Sequence, residues 1–168
     1  MTTIALVGCA AAKLSRPAPA RDLYTSQLFR KASAYAEANA DRWYILSAKH
    51  GLVSPDTVLE PYDTKLGHKH GPAIWDWAER VARQLDAELA GDNEIELLVL
   101  AGEQYRTFLA RCDYRATVPM AGMGIGQQLG YLTHHLNAYR DACPNTGRSA
   151  SVCDDPNHAN CPILYPIN

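Results

Sequence analysis

Three short stretches of this chain are apolar at successive positions rather than at alternate ones: residues 3–7 beyond Thr3, residues 43–47 as far as Ser47, and residues 95–100, the last interrupted only by Glu96. A strand with one wet face alternates apolar and polar side chains, whereas an unbroken apolar run needs cover on both faces. The segments between the runs supply that cover. Over residues 26–39, Leu28, Phe29, Ala32, Tyr35 and Ala36 recur at helical spacing, and Asp22 stands ahead of them as a capping residue. Pro72 suits a first helical position, and Ile74, Trp77, Ala78, Val81, Ala82 and Leu85 carry an amphipathic helix towards Leu89, ended by Gly91. A further helix is expected over residues 102–110, a fourth short strand over 116–118 and a last helix over 127–139. Strand and helix alternate to the end, which predicts an α/β layered sandwich: a mostly parallel sheet of about four or five strands flanked by helices.

Residues 53–71 interrupt this alternation with Pro55, Pro61, Gly67 and Gly71, so they read as a long excursion with at most a short turn of helix. A chain of 168 residues, 47% of them hydrophobic, buries one sizeable core. The expected organisation is one domain over residues 1–141 and a tail over 142–168. A net charge of -2 and a pI near 6.3 argue against a broad basic footprint for nucleic acid, leaving room for a local basic groove. No apolar run approaches the roughly 20 residues that span a bilayer, and the amino terminus lacks a signal pattern, so a cytoplasmic protein with no membrane partner is expected. Five cysteines, an odd number, argue against a disulfide framework.

The strand ends carry the chemistry. Residues 43–47 run into Ser47, Lys49, His50 and Gly51; the first strand ends at Gly8 and Cys9 with Lys13 beyond; the third ends at Gly102 with Glu103 and Tyr105. In an open parallel sheet such ends lie on one edge, where ligands bind, so the three are expected to converge on an anion or nucleotide pocket. Glycine lets a ligand approach backbone amides, and lysine supplies a point charge for phosphate. Glu60, Tyr62 and Asp63 in the long loop offer carboxylates and a phenol that can orient a base, a sugar or a water. Cys9 is either a buried thiol or a nucleophile with His50 as its base. The glycines at 122, 124 and 126 precede a helix but lack the dinucleotide-binding spacing, and they serve tight turning or ligand contact. His68 and His70 flank Lys69 at a basic loop tip.

In the tail, Cys143, Cys153, His158 and Cys161 form a set of three thiols and an imidazole suited to tetrahedral zinc. The gap after Cys143 is unlike the common paired knuckles, so structural zinc stands beside unpaired thiols or a redox-dependent bridge. The strand-edge pocket itself requires no cofactor.

Several phrases taken together resemble the DUF6884 type of small bacterial and archaeal proteins. They are Gly8-Cys9 with Lys13, Asp22-Leu23-Tyr24-Thr25-Ser26 with Leu28-Phe29, the segment from Leu46 through Ser47, Lys49 and His50 to Leu52, Pro61-Tyr62-Asp63, and Gly102-Glu103-Gln104-Tyr105. More distantly, the Leu46 to Leu52 and Pro61-Tyr62-Asp63 phrases are similar to the YaaA peroxide-stress proteins, a resemblance that implies DNA binding and puts that family's lysine on Lys13. At the level of fold the family resembles uracil-DNA glycosylase-like α/β domains, which implies recognition of a base or nucleotide. The chain departs from the glycosylases in the loop after its first strand, which has no water-activating Asp or Asn.

The expected partner is therefore a nucleotide, a nucleobase or DNA. The leading expectation is a nucleotide- or nucleic-acid-directed domain that hydrolyses an N-glycosidic bond of a modified base. Gly8, Cys9, Lys13, Tyr24, Ser47, Tyr62, Gly102 and Tyr105 would bind the substrate, Tyr24 or Tyr62 by stacking. Asp63, Lys49 and His50 would stand at the reacting centre, with Asp63 orienting water. A noncatalytic DNA-binding stress or defence protein and an enzyme acting on free nucleotides are the alternatives.

Overall fold

A computed structural model describes residues 1–66, 71–92 and 94–142; His68, His70 and the Cys143, Cys153, His158 and Cys161 set lie outside the described residues. The elements, in order, are β1 (Thr2–Gly8), β2 (Ala18–Pro19), the single turn α1 (Ala20–Leu23), α2 (Gln27–Asn39), β3 (Arg42–Ser47), β4 (Gly51–Val53), β5 (Val58–Leu59) and α3 (Pro72–Glu88). They continue with β6 (Ile95–Leu100), a 3-10 helix (Glu103–Arg111), β7 (Arg115–Thr117) and α4 (Ile125–Ala142). The main sheet has five strands in the order β4-β3-β1-β6-β7, all parallel except β4, which pairs antiparallel with β3. This is the layered α/β architecture expected from the apolar runs.

Each central strand divides its side chains between two cores. From β1, Ala5 and Val7 join Phe29, Ala32 and Ala36 of α2 and Leu132 of α4, while Ile4 and Leu6 join Trp77, Val81 and Leu85 of α3 and Phe108 of the 3-10 helix. β6 does the same with Leu98 and Leu100 against Leu97 and Val99. Period-two side chains with apolar material on both sides explain why these strands read as unbroken runs. α3 follows its pattern closely: Pro72 opens the helix and all six residues of its apolar stripe are buried. α2 begins one residue after Ser26, whose hydroxyl accepts the Phe29 amide at 3.2 Å. Asp22 is not its cap, because it lies within α1.

The segment expected as a loop holds more structure than its prolines suggest. The chain does not leave the sheet after Ser47; it turns through Ala48, Lys49 and His50 and returns as β4, with Ser47 opposite Gly51. Further on, β5 pairs antiparallel with β2, and the Ala20 and Arg21 amides donate to the carbonyls of Thr57 and Pro55. Strands of two or three residues are too short for a hydrophobic period to show. The segment after Gly102 is helical as expected but wound as a 3-10 helix.

The chain moves from β1 outward to β3, then crosses back to β6 on the other side of β1. Accordingly, the connection after β1 leads to α2 on one face, and the connection after β6 leads to the 3-10 helix on the opposite face. Strand ends that diverge in this way leave a crevice between them, the switch point of open α/β sheets. Among the described residues no helix is long and apolar enough to cross a membrane.

Gly51 sits at φ +75, and a Cβ there would collide with the Gln84 carboxamide, which accepts from the Leu52 amide at 2.9 Å and donates to the His50 carbonyl at 3.3 Å. Gly51→Ala is expected to cost about 1–2 kcal/mol in backbone strain alone, before any loss of the Gln84 bonds. A urea midpoint equal to that of the parent chain would contradict this role.

Candidate ligand-binding site

A cleft of about 190 Å³ opens between the ends of β1 and β6. Gly8, Cys9 and Ala10 line it from β1, Leu100, Gly102 and Tyr105 from β6 and the turn beyond, Ser26, Leu28, Phe29 and Ala32 from the start of α2, and Met120 and Gln128 from the approach to α4. Gly8 brings the two strand ends together: a Cβ on it would stand 3.2 Å from that of Ala101. A Cβ on Gly102 would meet nothing within 4 Å, so the backbone there faces open space. The Cys9 amide donates to the Leu46 carbonyl at 3.0 Å, and its thiol lies 3.2 Å from the Tyr105 hydroxyl. The cleft thus lies between the ends of β1 and β6, with the end of β3 tied to it through the Cys9 and Leu46 bond; Ser47, Lys49 and His50 do not line it.

Beside the cleft lies a chain of hydroxyls. Ser47, fully buried, has its Oγ 2.7 Å from the Tyr62 hydroxyl, which is 2.7 Å from that of Tyr24. The same Ser47 Oγ accepts the His50 amide at 3.0 Å, and the Ser47 carbonyl accepts the Trp77 indole N–H at 2.8 Å. Lys13 reaches this cluster because its segment runs antiparallel to the one carrying Tyr24, with Leu14 donating to Leu23 and Thr25 to Ala12. Its Nζ donates to the Ala10 carbonyl at 3.0 Å and lies 4.3 Å from the centre of the Tyr62 ring. Lys49, exposed on the hairpin turn, reaches the same ring at 5.7 Å, and the His50 ring meets it edge-on at 5.3 Å.

Tyr24 is only 1% exposed, so it offers its hydroxyl to this network and no open face for stacking. Asp63 is exposed on the long loop and does not line the cleft. Burial raises the phenols of Tyr24, Tyr62 and Tyr105 above their ordinary range. The His50 imidazole is held below its ordinary value, first by burial and then by the charges of Lys49 and Arg80.

Across the α3 face of this edge runs a second, shallower groove of about 510 Å³. Ala48 contributes from the hairpin turn, Thr64, Lys65 and Leu66 from the long loop, and Ala73, Asp76, Trp77, Arg80 and Arg83 from α3. Three cations face one carboxylate there. The groove adjoins the cleft, because Trp77 of the groove and Tyr105 of the cleft are in edge-to-face contact at 5.5 Å between ring centres. Neither Arg80 and Arg83 nor the cleft residues Ser26, Met120 and Gln128 stand out in the sequence; arginines a helical turn apart look like any solvated face. Among the described residues no His, Cys, Asp and Glu cluster could hold a metal ion.

Fold and site together define an open α/β domain with a small cleft at its switch point and a basic groove alongside. The chain belongs to the family described as a family of unknown function, DUF6884, whose profile matches residues 4–134. That match takes in every residue of the cleft and the groove. A relative is the uncharacterized protein YfjM of Bacillus subtilis (strain 168), 38% identical over 94 residues that make up 55% of this chain and 61% of that protein. The chain thus spans about three fifths of the length of the curated relative it matches.

Two predictions follow from the hydroxyl chain and the phenols. Tyr62→Phe leaves the buried hydroxyls of Ser47 and Tyr24 without their shared partner and is expected to cost about 1–3 kcal/mol. In a double-mutant cycle with Ser47→Ala the two losses should overlap by about 0.5–3 kcal/mol; strict additivity would mean that the bond carries no energy. The Tyr114 phenol is pushed up to about 12 by burial and by the Asp86 carboxylate beside it, against 10.0 when free. A raised phenol binds its proton more tightly when folded, so its contribution is whole below pH 10.0 and is lost as pH climbs towards about 12. Alkaline titration should show a steep fall in the unfolding midpoint over that range, a fall that Tyr114→Phe makes shallower.

Proposed function

We propose that this chain binds nucleic acid, laying backbone phosphates along the groove of Lys65, Arg80 and Arg83 and offering the adjoining cleft to a single unstacked base. The observation that carries the reading is the pairing of a basic groove with a small ring-sized cleft across the Trp77 and Tyr105 contact. Cations along a channel track a phosphate backbone without regard to sequence, while a recess beside it is where an unpaired base can be inspected. The cleft falls below the roughly 300–1,000 Å³ usual for drug-sized ligands, and an apolar cavity of about 150 Å³ already takes a benzene ring. Its walls suit that scale, with the Cys9 thiol, the Tyr105 hydroxyl and the Gln128 amide among apolar side chains.

The reading is one of recognition. No carboxylate lines the cleft among the described residues, and hydrolysis of an N-glycosidic bond would require Asp63 to reach the cleft from the long loop. The reading carries with it a cytoplasmic setting.

Fluorescence anisotropy with labelled single- and double-stranded DNA tests it. With three cations on the backbone, affinity for a single strand should fall with a log–log salt slope of about −2. Reversing charge at Arg80 and Arg83 together should weaken binding at least about tenfold and flatten the slope. Binding that ignores both salt and charge reversal would sink the proposal. Release of free base from a modified oligonucleotide, lost in Asp63→Asn, would replace recognition with hydrolysis.

A further inference from the structure

Two ammonium groups from distant parts of the chain converge on one tyrosine ring. Lys13 comes from the loop after β1 and Lys49 from the turn between β3 and β4, yet their Nζ atoms lie 4.3 Å and 5.7 Å from the centre of the Tyr62 ring. Both ammonium groups reach the same aromatic ring, and among the described residues no carboxylate forms an ion pair with either. Lys13 is held there by the carbonyls of Ala10 at 3.0 Å and Ala11 at 3.3 Å. Those acceptors orient its ammonium without cancelling the charge.

The ring itself is fixed. The Tyr62 hydroxyl is engaged with Ser47 and Tyr24, and the His50 ring packs edge-on against it. The field extends towards the groove, because both Lys49 and Arg80 act on His50, and Arg80 lines the groove. Positive charge that no ion pair among the described residues neutralises is suited to an anion from outside.

We infer that Lys13 and Lys49, gathered over the ring of Tyr62, seat the terminal phosphate monoester of the strand bound in the groove; the inference rests on the nucleic-acid reading above. A phosphodiester carries a single charge, whereas a monoester carries about −1.5 to −2 near neutral pH and has three acceptor oxygens. Two lysine point charges match a compact, doubly charged group, while a planar arginine fork suits bidentate contact. Groove and seat divide the work: Lys65, Arg80 and Arg83 meet internal phosphates, and the Tyr62 site reads whether the strand ends in phosphate or hydroxyl.

Anisotropy titrations at one salt concentration would compare a single-stranded DNA of one sequence prepared with a 5′-phosphate, a 3′-phosphate or hydroxyls at both ends. One phosphorylated form is expected to bind about tenfold more tightly than the hydroxyl form, and which one it is assigns the strand's direction. Lys49→Gln, an exposed position that leaves the core untouched, should bring that ratio close to one, and Lys13→Gln should do the same. Arg83→Ala should weaken all three oligonucleotides together and keep the ratio. Equal affinity for all three ends, with salt-dependent binding intact, would overturn the inference and leave the groove reading standing. Absence of binding by any of them would remove both.

Discussion

Ser47 is where the parts of this molecule meet. It ends β3, its hydroxyl accepts the His50 amide and so shapes the turn into β4, the same hydroxyl reaches Tyr62 of the long loop, and its carbonyl takes the indole N–H of Trp77 from α3. It is fully buried, so water cannot substitute for any of these bonds. One side chain and its own carbonyl therefore tie the hairpin, the loop and α3 to the end of β3. The groove inherits its shape from this, since it is walled by the loop and α3 and receives Ala48 from the turn. So does the position of the two lysines around Tyr62.

The parts of the fold legible in the sequence are those in which a single physical demand repeats over many residues. β1, β3 and β6 announce themselves because both of their faces are covered, and α3 because its stripe runs from Ile74 to Leu85, about three turns. What escapes is short or tertiary. β4 and the β2 and β5 ribbon have too few residues to establish a period. The site divides in the same way. That Cys9, Ser47 and Gly102 share an edge follows from parallel strands, whereas the Tyr24, Tyr62 and Ser47 hydroxyl chain depends on how the long loop is laid along residues 18–21. No local rule ties a tyrosine in a proline-bounded loop to a serine fifteen residues earlier. Lys49 is legible as a charge at a strand end; its relation to Lys13 is not.

Overall charge is a poor guide to this surface. The chain is acidic as a whole, yet several of its acidic groups are engaged elsewhere: Asp56 and Glu37 pair with Arg21, Asp92 pairs with Arg42, and Asp86 accepts from Tyr114. Surface ion pairs of this kind contribute little to stability, but here they engage three carboxylates with two arginines away from the groove. What remains concentrated beside the cleft is positive. A small excess in the right place outweighs a net charge of the opposite sign, because screening confines the reach of each charge to about 8–10 Å in ordinary salt.

Gln84 gives one border of the sheet an unusual finish. Its carboxamide accepts the Leu52 amide of β4 and donates to the His50 carbonyl just before it, so a helix side chain supplies both a donor and an acceptor along that margin. Unpaired strand edges invite other chains to add to them. Here a single amide group stands in for the backbone of a neighbouring strand, and the sheet ends at β4 with its hydrogen bonding partly completed from within the same chain. β7, exposed along its whole length, has no such terminator among the described residues, so the two borders of the described sheet are finished differently.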